Sequence, residues 1–174
     1  MKLKLMRAKQ ILAVVVLLIV ASLIIFPPLL DGQVRVTLSS TTSVHADHVY
    51  VTIGEISAHR ADITGLSGWQ SISNMSTRID LTLANTSETV GSGTLSLGQY
   101  ETVRVKVTNA TVIINGTSQK VQLESDEFTI PFSFLTKFGV DTVIILKVSP
   151  EIQKTSGGVN LKLSFTAPAA SPSS

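Results

Sequence analysis

Along the first thirty residues the apolar positions form a block, and beyond them they alternate. From Ile11 to Phe26 sixteen residues carry no charge and only Ser22 as a polar group, and Pro27, Pro28, Leu29 and Leu30 extend the uncharged stretch to twenty. Twenty helical residues span about 30 Å, the thickness of a bilayer's hydrocarbon layer, so residues 11–30 are expected to form a transmembrane signal-anchor helix. Pro27-Pro28 is expected to end it, because proline lacks the N–H for the next turn and disfavours helical geometry in the residue before it. A cleaved signal peptide usually has a shorter apolar region closed by an A-x-A-like site. No such site follows closely; Val44-His45-Ala46 has small residues at the right spacing but lies too far on.

After Asp31-Gly32 the period becomes two. Val34, Val36 and Leu38 alternate with Arg35, Thr37 and Ser39, and Val49, Val51 and Ile53 alternate with Tyr50 and Thr52. The same pattern runs through Val103, Val105 and Val107, and again through Val159, Leu161, Leu163 and Phe165. One apolar and one wet face mark half-buried antiparallel strands. Val140 to Val148 is apolar on both faces except at Asp141, Thr142 and Lys147, which predicts a central strand. No segment after residue 30 sustains a helical period.

Turns are expected at Asn115-Gly116, where both residues tolerate positive φ, and at Gly65, Gly91-Ser92-Gly93 and Gly157-Gly158. Together these features predict an all-β, antiparallel Greek-key β-sandwich of about seven or eight strands over residues 31–166. In Leu97-Gly98-Gln99-Tyr100, a tyrosine beside a turn glycine is placed to bond backbone across a Greek-key corner. A lone tryptophan in such a pattern, Trp69, is expected in the core. The segment 70–90 takes no firm assignment. Residues 167–174, rich in Pro, Ala and Ser, are expected to be disordered.

Charge fixes the orientation. Lys2, Lys4, Arg7 and Lys9 leave ten basic residues against twelve acidic ones in the rest of the chain, so the net +2 belongs to the N-terminal tail. By the positive-inside rule residues 1–10 form a basic cytoplasmic tail and the β domain lies outside a single-pass cytoplasmic membrane protein. Membrane lipid, met through residues 11–30, is the first expected partner. Nucleic acid is not expected, since the remaining Lys and Arg are scattered singly. The absence of cysteine excludes disulfides, thiolate metal sites and a cysteine nucleophile.

Several framework residues carry a resemblance. The stretch Val49-Tyr50-Val51-Thr52-Ile53 through Ile56-Ser57-Ala58-His59-Arg60, then Gly68-Trp69, Gly93-Thr94-Leu95, Leu97-Gly98-Gln99-Tyr100 and Val103-Arg104-Val105 resembles the domain-of-unknown-function 4382 family of exported archaeal and bacterial proteins. Asn115-Gly116, Ile130-Pro131 and the closing strand fit its later part, so the resemblance spans residues 33–166. It implies a transthyretin-like or carbohydrate-binding-like sandwich at the cell envelope, and no catalytic residues.

Four of the five asparagines, Asn74, Asn85, Asn109 and Asn115, stand in N-x-[ST] sequons, which makes them glycosylation candidates and suggests an archaeal surface glycoprotein. Without glycans the same pattern describes a Thr-rich strand protein with polar turns. His45, Asp47 and His48, with His59 further on, are candidate zinc or copper ligands, although His48 and His59 face opposite sides of a regular strand unless a bulge near Gly54 reverses one. Glu124, Asp126 and Glu127 suggest a cation site without the regular calcium-loop spacing. Trp69 and Tyr50 are candidates for stacking on a sugar ring. There is no G-x-S-x-G elbow, phosphate loop or H-E-x-x-H helix, so no enzyme and no cofactor is expected. The expected function is a membrane-anchored, non-enzymatic surface module that supports the envelope or binds an envelope protein or polysaccharide. Alternatives are a carbohydrate- or cation-binding module and a pilin-like subunit processed after Ala8, against which Lys9 argues.

Overall fold

The computed structural model describes Val15 and residues 31–41, 44–61 and 68–167. The expected basic tail, the anchor at 11–30, the turn at Gly65 and the tail after Ala167 lie outside the described residues. Among the described residues no helix is long and apolar enough to cross a membrane.

The described residues form eleven strands: β1 (Asp31–Ser40), β2 (His48–Arg60), β3 (Trp69–Ser73), β4 (Thr77–Asp80), β5 (Ser87–Ser96), β6 (Gly98–Ile114), β7 (Thr117–Gln119), β8 (Val121–Leu123), β9 (Glu127–Thr136), β10 (Thr142–Thr155) and β11 (Gly158–Thr166). They build two sheets. The first has the order β5-β1-β10-β11-β8; in the second β2 and β6 pair along almost their whole lengths, β3 and β4 share the free edge of β2, and β7 and β9 share that of β6. Split edges account for much of the excess over the seven or eight strands expected, because a polar break such as Asn74-Met75-Ser76 interrupts one edge in two.

One core lies between the sheets. Val34, Val36 and Leu38 of β1, Val49, Val51 and Ile53 of β2, Val103, Val105 and Val107 of β6, and Val159, Leu161 and Leu163 of β11 are all buried there. The alternation in the sequence is thus the inward face of each strand. Its direction is another matter. β1 runs parallel to β10, and β11 parallel to β8, so the expectation of a wholly antiparallel fold is corrected. Alternating burial identifies a face and carries no information on which way a neighbour runs. The partners in each parallel pair are joined through the second sheet or through β9 and β10, a long enough path for a parallel return.

Three further expectations change. Gly91-Ser92-Gly93 is not a turn but the interior of β5, and the missing side chains let this edge of the first sheet approach β3 of the second: a Cβ on Gly91 would lie 2.8 Å from that of Ser73. Val140 to Val148 does contribute the central strand β10, yet Val143 and Ile145 face outward and remain exposed. Trp69 is 39% exposed rather than in the core. By contrast, Asn115 and Gly116 adopt φ of 50° and 71° in the β6–β7 hairpin, as the Asn-Gly pair demands.

The chain passes between sheets at Ser96–Gly98, and a knot of hydrogen bonds fixes the crossing. The Tyr100 hydroxyl donates to a shared pair of acceptors, Ser96 O (2.9 Å) and Gln70 Oε1 (2.7 Å). Gln70 Oε1 also accepts the Ser96 N–H, and the Thr136 hydroxyl accepts the N–H of Gly98. This is the corner tyrosine expected from the sequence. The same end of the domain holds the start of β1, where Gly32 packs against Thr136 and Lys137. The opposite end holds the hairpins β6–β7 and β10–β11.

Candidate functional site

Register places the polar side chains of β2, β3 and β6 on the outer face of the second sheet. His59 lies across from Trp69 and Thr102, and Ser57 across from Ser71 and Arg104, so these side chains form two adjacent rows on the solvent side. Irregularities around Gly54 keep His48, Tyr50 and Thr52 on that same face, reversing the parity of a regular strand. His48 and His59 therefore share a face but stand about 30 Å apart along it.

At one end of this face the Arg104 guanidinium lies 3.7 Å above the Trp69 ring, and His59 meets the same indole edge-on at 5.1 Å. His59 Nδ1 is 3.4 Å from Glu101 Oε1, and Arg104 Nε is 3.4 Å from Glu127 Oε1. The Arg104–Glu127 contact is an ion pair that makes no hydrogen bond at Nε. Arg104 Nε and the hydroxyl of the buried Ser57 are buried polar atoms without a hydrogen-bond partner. Such atoms each cost stability, and the packing of Arg104 and Trp69 above them has to offset that cost. Stacking on the indole holds the guanidinium in place and leaves its terminal N–H groups free to donate.

At the other end Tyr50 has two ring partners. Arg78 lies 3.9 Å above the ring and His48 stacks on it at 5.1 Å, nearly parallel. His48 Nδ1 is 2.7 Å from Asp80 Oδ2. Burial alone would raise the Asp80 pKa; the hydrogen bonds from the Thr82 hydroxyl, His48 and the backbone N–H groups of Thr82 and Val49 outweigh it and hold the carboxyl below its ordinary value. A depressed carboxylate stabilises the fold fully above its ordinary pKa, and that contribution is lost as pH falls through the lowered one. Asp80→Asn is accordingly expected to lower the melting temperature at neutral pH and to converge with the wild type in acid, as a pair of thermal melts across that range would record.

The other candidates stay apart. Asp47 Oδ2 accepts the Gly116 N–H at 2.7 Å and holds the β6–β7 hairpin, while His48 turns to Asp80. Among the described residues no group of three His, Cys, Asp or Glu side chains gathers closely enough to hold a metal ion, and Glu124, Asp126 and Glu127 do not converge. Asn74, Asn85, Asn109 and Asn115 are all exposed, as glycan attachment requires. An open, mainly polar cleft of about 480 Å³ lies between the hairpin tips, lined by Asn115, Thr117, Gln119, Lys154, Thr155 and Gly158 among others. Sequence reasoning missed Arg78 and Arg104, because an arginine on a polar strand face shows its aromatic partner only once the strands are paired.

A family model described as "Domain of unknown function (DUF4382)" matches residues 31–166. No curated protein matches the chain. No solved structure matches it either.

Proposed function

We propose, for a chain that belongs to the DUF4382 family, a domain whose function is unknown, the role of a non-enzymatic module held at the outer face of the cytoplasmic membrane and binding another envelope component through the outer face of its second sheet. Residues 11–30 are read as its single span, residues 31–166 as a Greek-key sandwich outside the cell, and the four exposed sequons as sites of glycan attachment. The observation that carries the binding reading is the cluster of Trp69, His59 and Arg104 on the outer face, with Trp69 partly exposed and Arg104 stacked on it. A rigid aromatic and a fixed arginine are the side chains that most often dominate binding energy.

A polysaccharide ligand is the second reading, favoured by the partial exposure of Trp69 beside Glu101 and Glu127. Tyr50 does not support it, because Arg78 and His48 already stack against its ring. A photoreactive side chain at Lys106 or Glu101, both exposed on the second sheet, tests the binding reading in intact cells against Thr94 on the first sheet. Crosslinks to one envelope component from the second sheet alone, lost in Arg104→Gln, are the expected result; equal capture from both sheets sinks the reading. Envelope polysaccharide that raises the melting temperature of the wild type and not of Trp69→Ala would make that component a glycan.

A further inference from the structure

The end of the domain where β1 begins carries an apolar rim that none of the described residues covers. Between β9 and β10 the chain makes a tight turn, Lys137-Phe138-Gly139-Val140, closed by the Val140 N–H on the Lys137 carbonyl at 3.4 Å, with Gly139 at φ 69°. A positive φ at the third position suits glycine and turns the second residue, Phe138, outward. Phe138 is 60% and Val140 48% exposed, and Leu135 before the turn and Val143 after it are 51% and 54% exposed. Phe138 and Val140 stand at the tip of the turn, with Leu135 on the outer face of the second sheet and Val143 on that of the first, so apolar side chains ring this end on both sides.

The position of the rim identifies what covers it. Gly32, the second residue of β1, packs against Thr136 and Lys137, so the turn sits beside the point where the chain enters the domain. The twenty uncharged residues 11–30 end immediately before Asp31. A segment of that length and character fits a bilayer core, and in the sequence it adjoins Asp31, where β1 begins. Any membrane holding that segment lies within a few residues' reach of Phe138 and Val140. At the opposite end of the domain lie the hairpin tips, with the exposed sequon Asn115 and polar residues.

We infer that the turn Lys137–Val140, flanked by Leu135 and Val143, is a membrane-contact surface that dips into the headgroup layer of the bilayer in which residues 11–30 are anchored. This rests on the anchored reading above and adds to it that the domain lies against the membrane instead of swinging free. Lys137 keeps its ammonium at headgroup level while its stem follows the apolar side chains. With Asp141 beside it the turn has no net charge, so the contact is driven by apolar burial and does not require anionic lipid.

The chain has no cysteine, so a single introduced one takes a fluorophore at a chosen place. Full-length protein bearing Asp141→Cys is reconstituted into phosphatidylcholine vesicles containing a spin-labelled lipid and compared with Leu83→Cys, an exposed position at the opposite end. An interfacial side chain sits about 5–10 Å into the headgroup region, within reach of the quencher, so about two-fold stronger quenching is expected at Asp141→Cys. Adding Phe138→Ser and Val140→Ser is expected to remove the difference; a difference that survives both changes overturns the inference. An alkaline wash of the same vesicles separates the two readings. Protein retained by the vesicles with equal quenching at both positions overturns the contact alone, and self-crosslinking through the turn assigns the rim to a second copy of the chain. Protein released by the wash overturns the anchor and the contact together.

Discussion

Gly93→Ala is expected to cost about 3 kcal/mol, far more than an added methyl group usually does in a strand, because the obstacle is backbone. A Cβ at Gly93 would run into the carbonyl oxygen of Ile72, and that oxygen cannot rotate away as a side chain could. β5 and β3 are edge strands of different sheets, and their close approach is what shuts one side of the core over Ile56 and Ile72. Separating them to admit the methyl group opens that side to water. Urea unfolding of the purified protein, with unchanged slope and a lower midpoint, is the measurement. Gly157→Ala is the control: nothing lies within 4 Å of its would-be Cβ, so its midpoint is expected to stay within about 0.5 kcal/mol of the wild type. Equal midpoints for the two variants would mean that the edges do not meet as described.

That glycine also shows where the sequence stops being legible. Glycine is used for positive φ and for close approach, and the letters are the same for both. Asn115-Gly116 reads correctly because its neighbours alternate up to the turn and away from it. Gly91-Ser92-Gly93 misleads because its close neighbour, β3, lies in a segment too short and polar to show a period. Core positions such as Val51, Val105 and Leu161 are legible for the opposite reason: burial on one face repeats every second residue and needs no knowledge of the partner strand. The candidate site was half legible. Tyr50, His59 and Trp69 stand out by residue type, whereas Arg104 becomes part of the site only through its diagonal position to Trp69. The apolar character of Val143 and Ile145 was read as burial on both faces, and the outer sheet face leaves them open.

Tyr100 should show its role most clearly in alkaline solution. The ring is fully buried and stacks on Phe134 at 5.1 Å, and its hydroxyl is shared between the Ser96 carbonyl and Gln70 where the chain changes sheets. Tyr100→Ala removes ring and hydroxyl and is expected to cost about 3–5 kcal/mol. Tyr100→Phe keeps the packing and loses the donor, leaving the Ser96 carbonyl one partner short, for about 1–2 kcal/mol at neutral pH. Burial pushes the Tyr100 pKa up, with the nearby Arg60 opposing and Asp31 reinforcing the shift. A group whose pKa is raised by folding stabilises the fold fully below its ordinary value, near 10 for a phenol, and that contribution disappears as pH rises through the raised value. The stability gap between wild type and Tyr100→Phe is therefore expected to hold from neutral pH to about 10 and to narrow above it, since only the wild type must ionise this buried hydroxyl on unfolding. Urea midpoints for both proteins on either side of that pH decide the matter. A gap that stays constant into strong alkali would show that the hydroxyl is solvated, and the corner at Ser96–Gly98 would then owe its geometry to ring packing and the Thr136 hydrogen bonds alone.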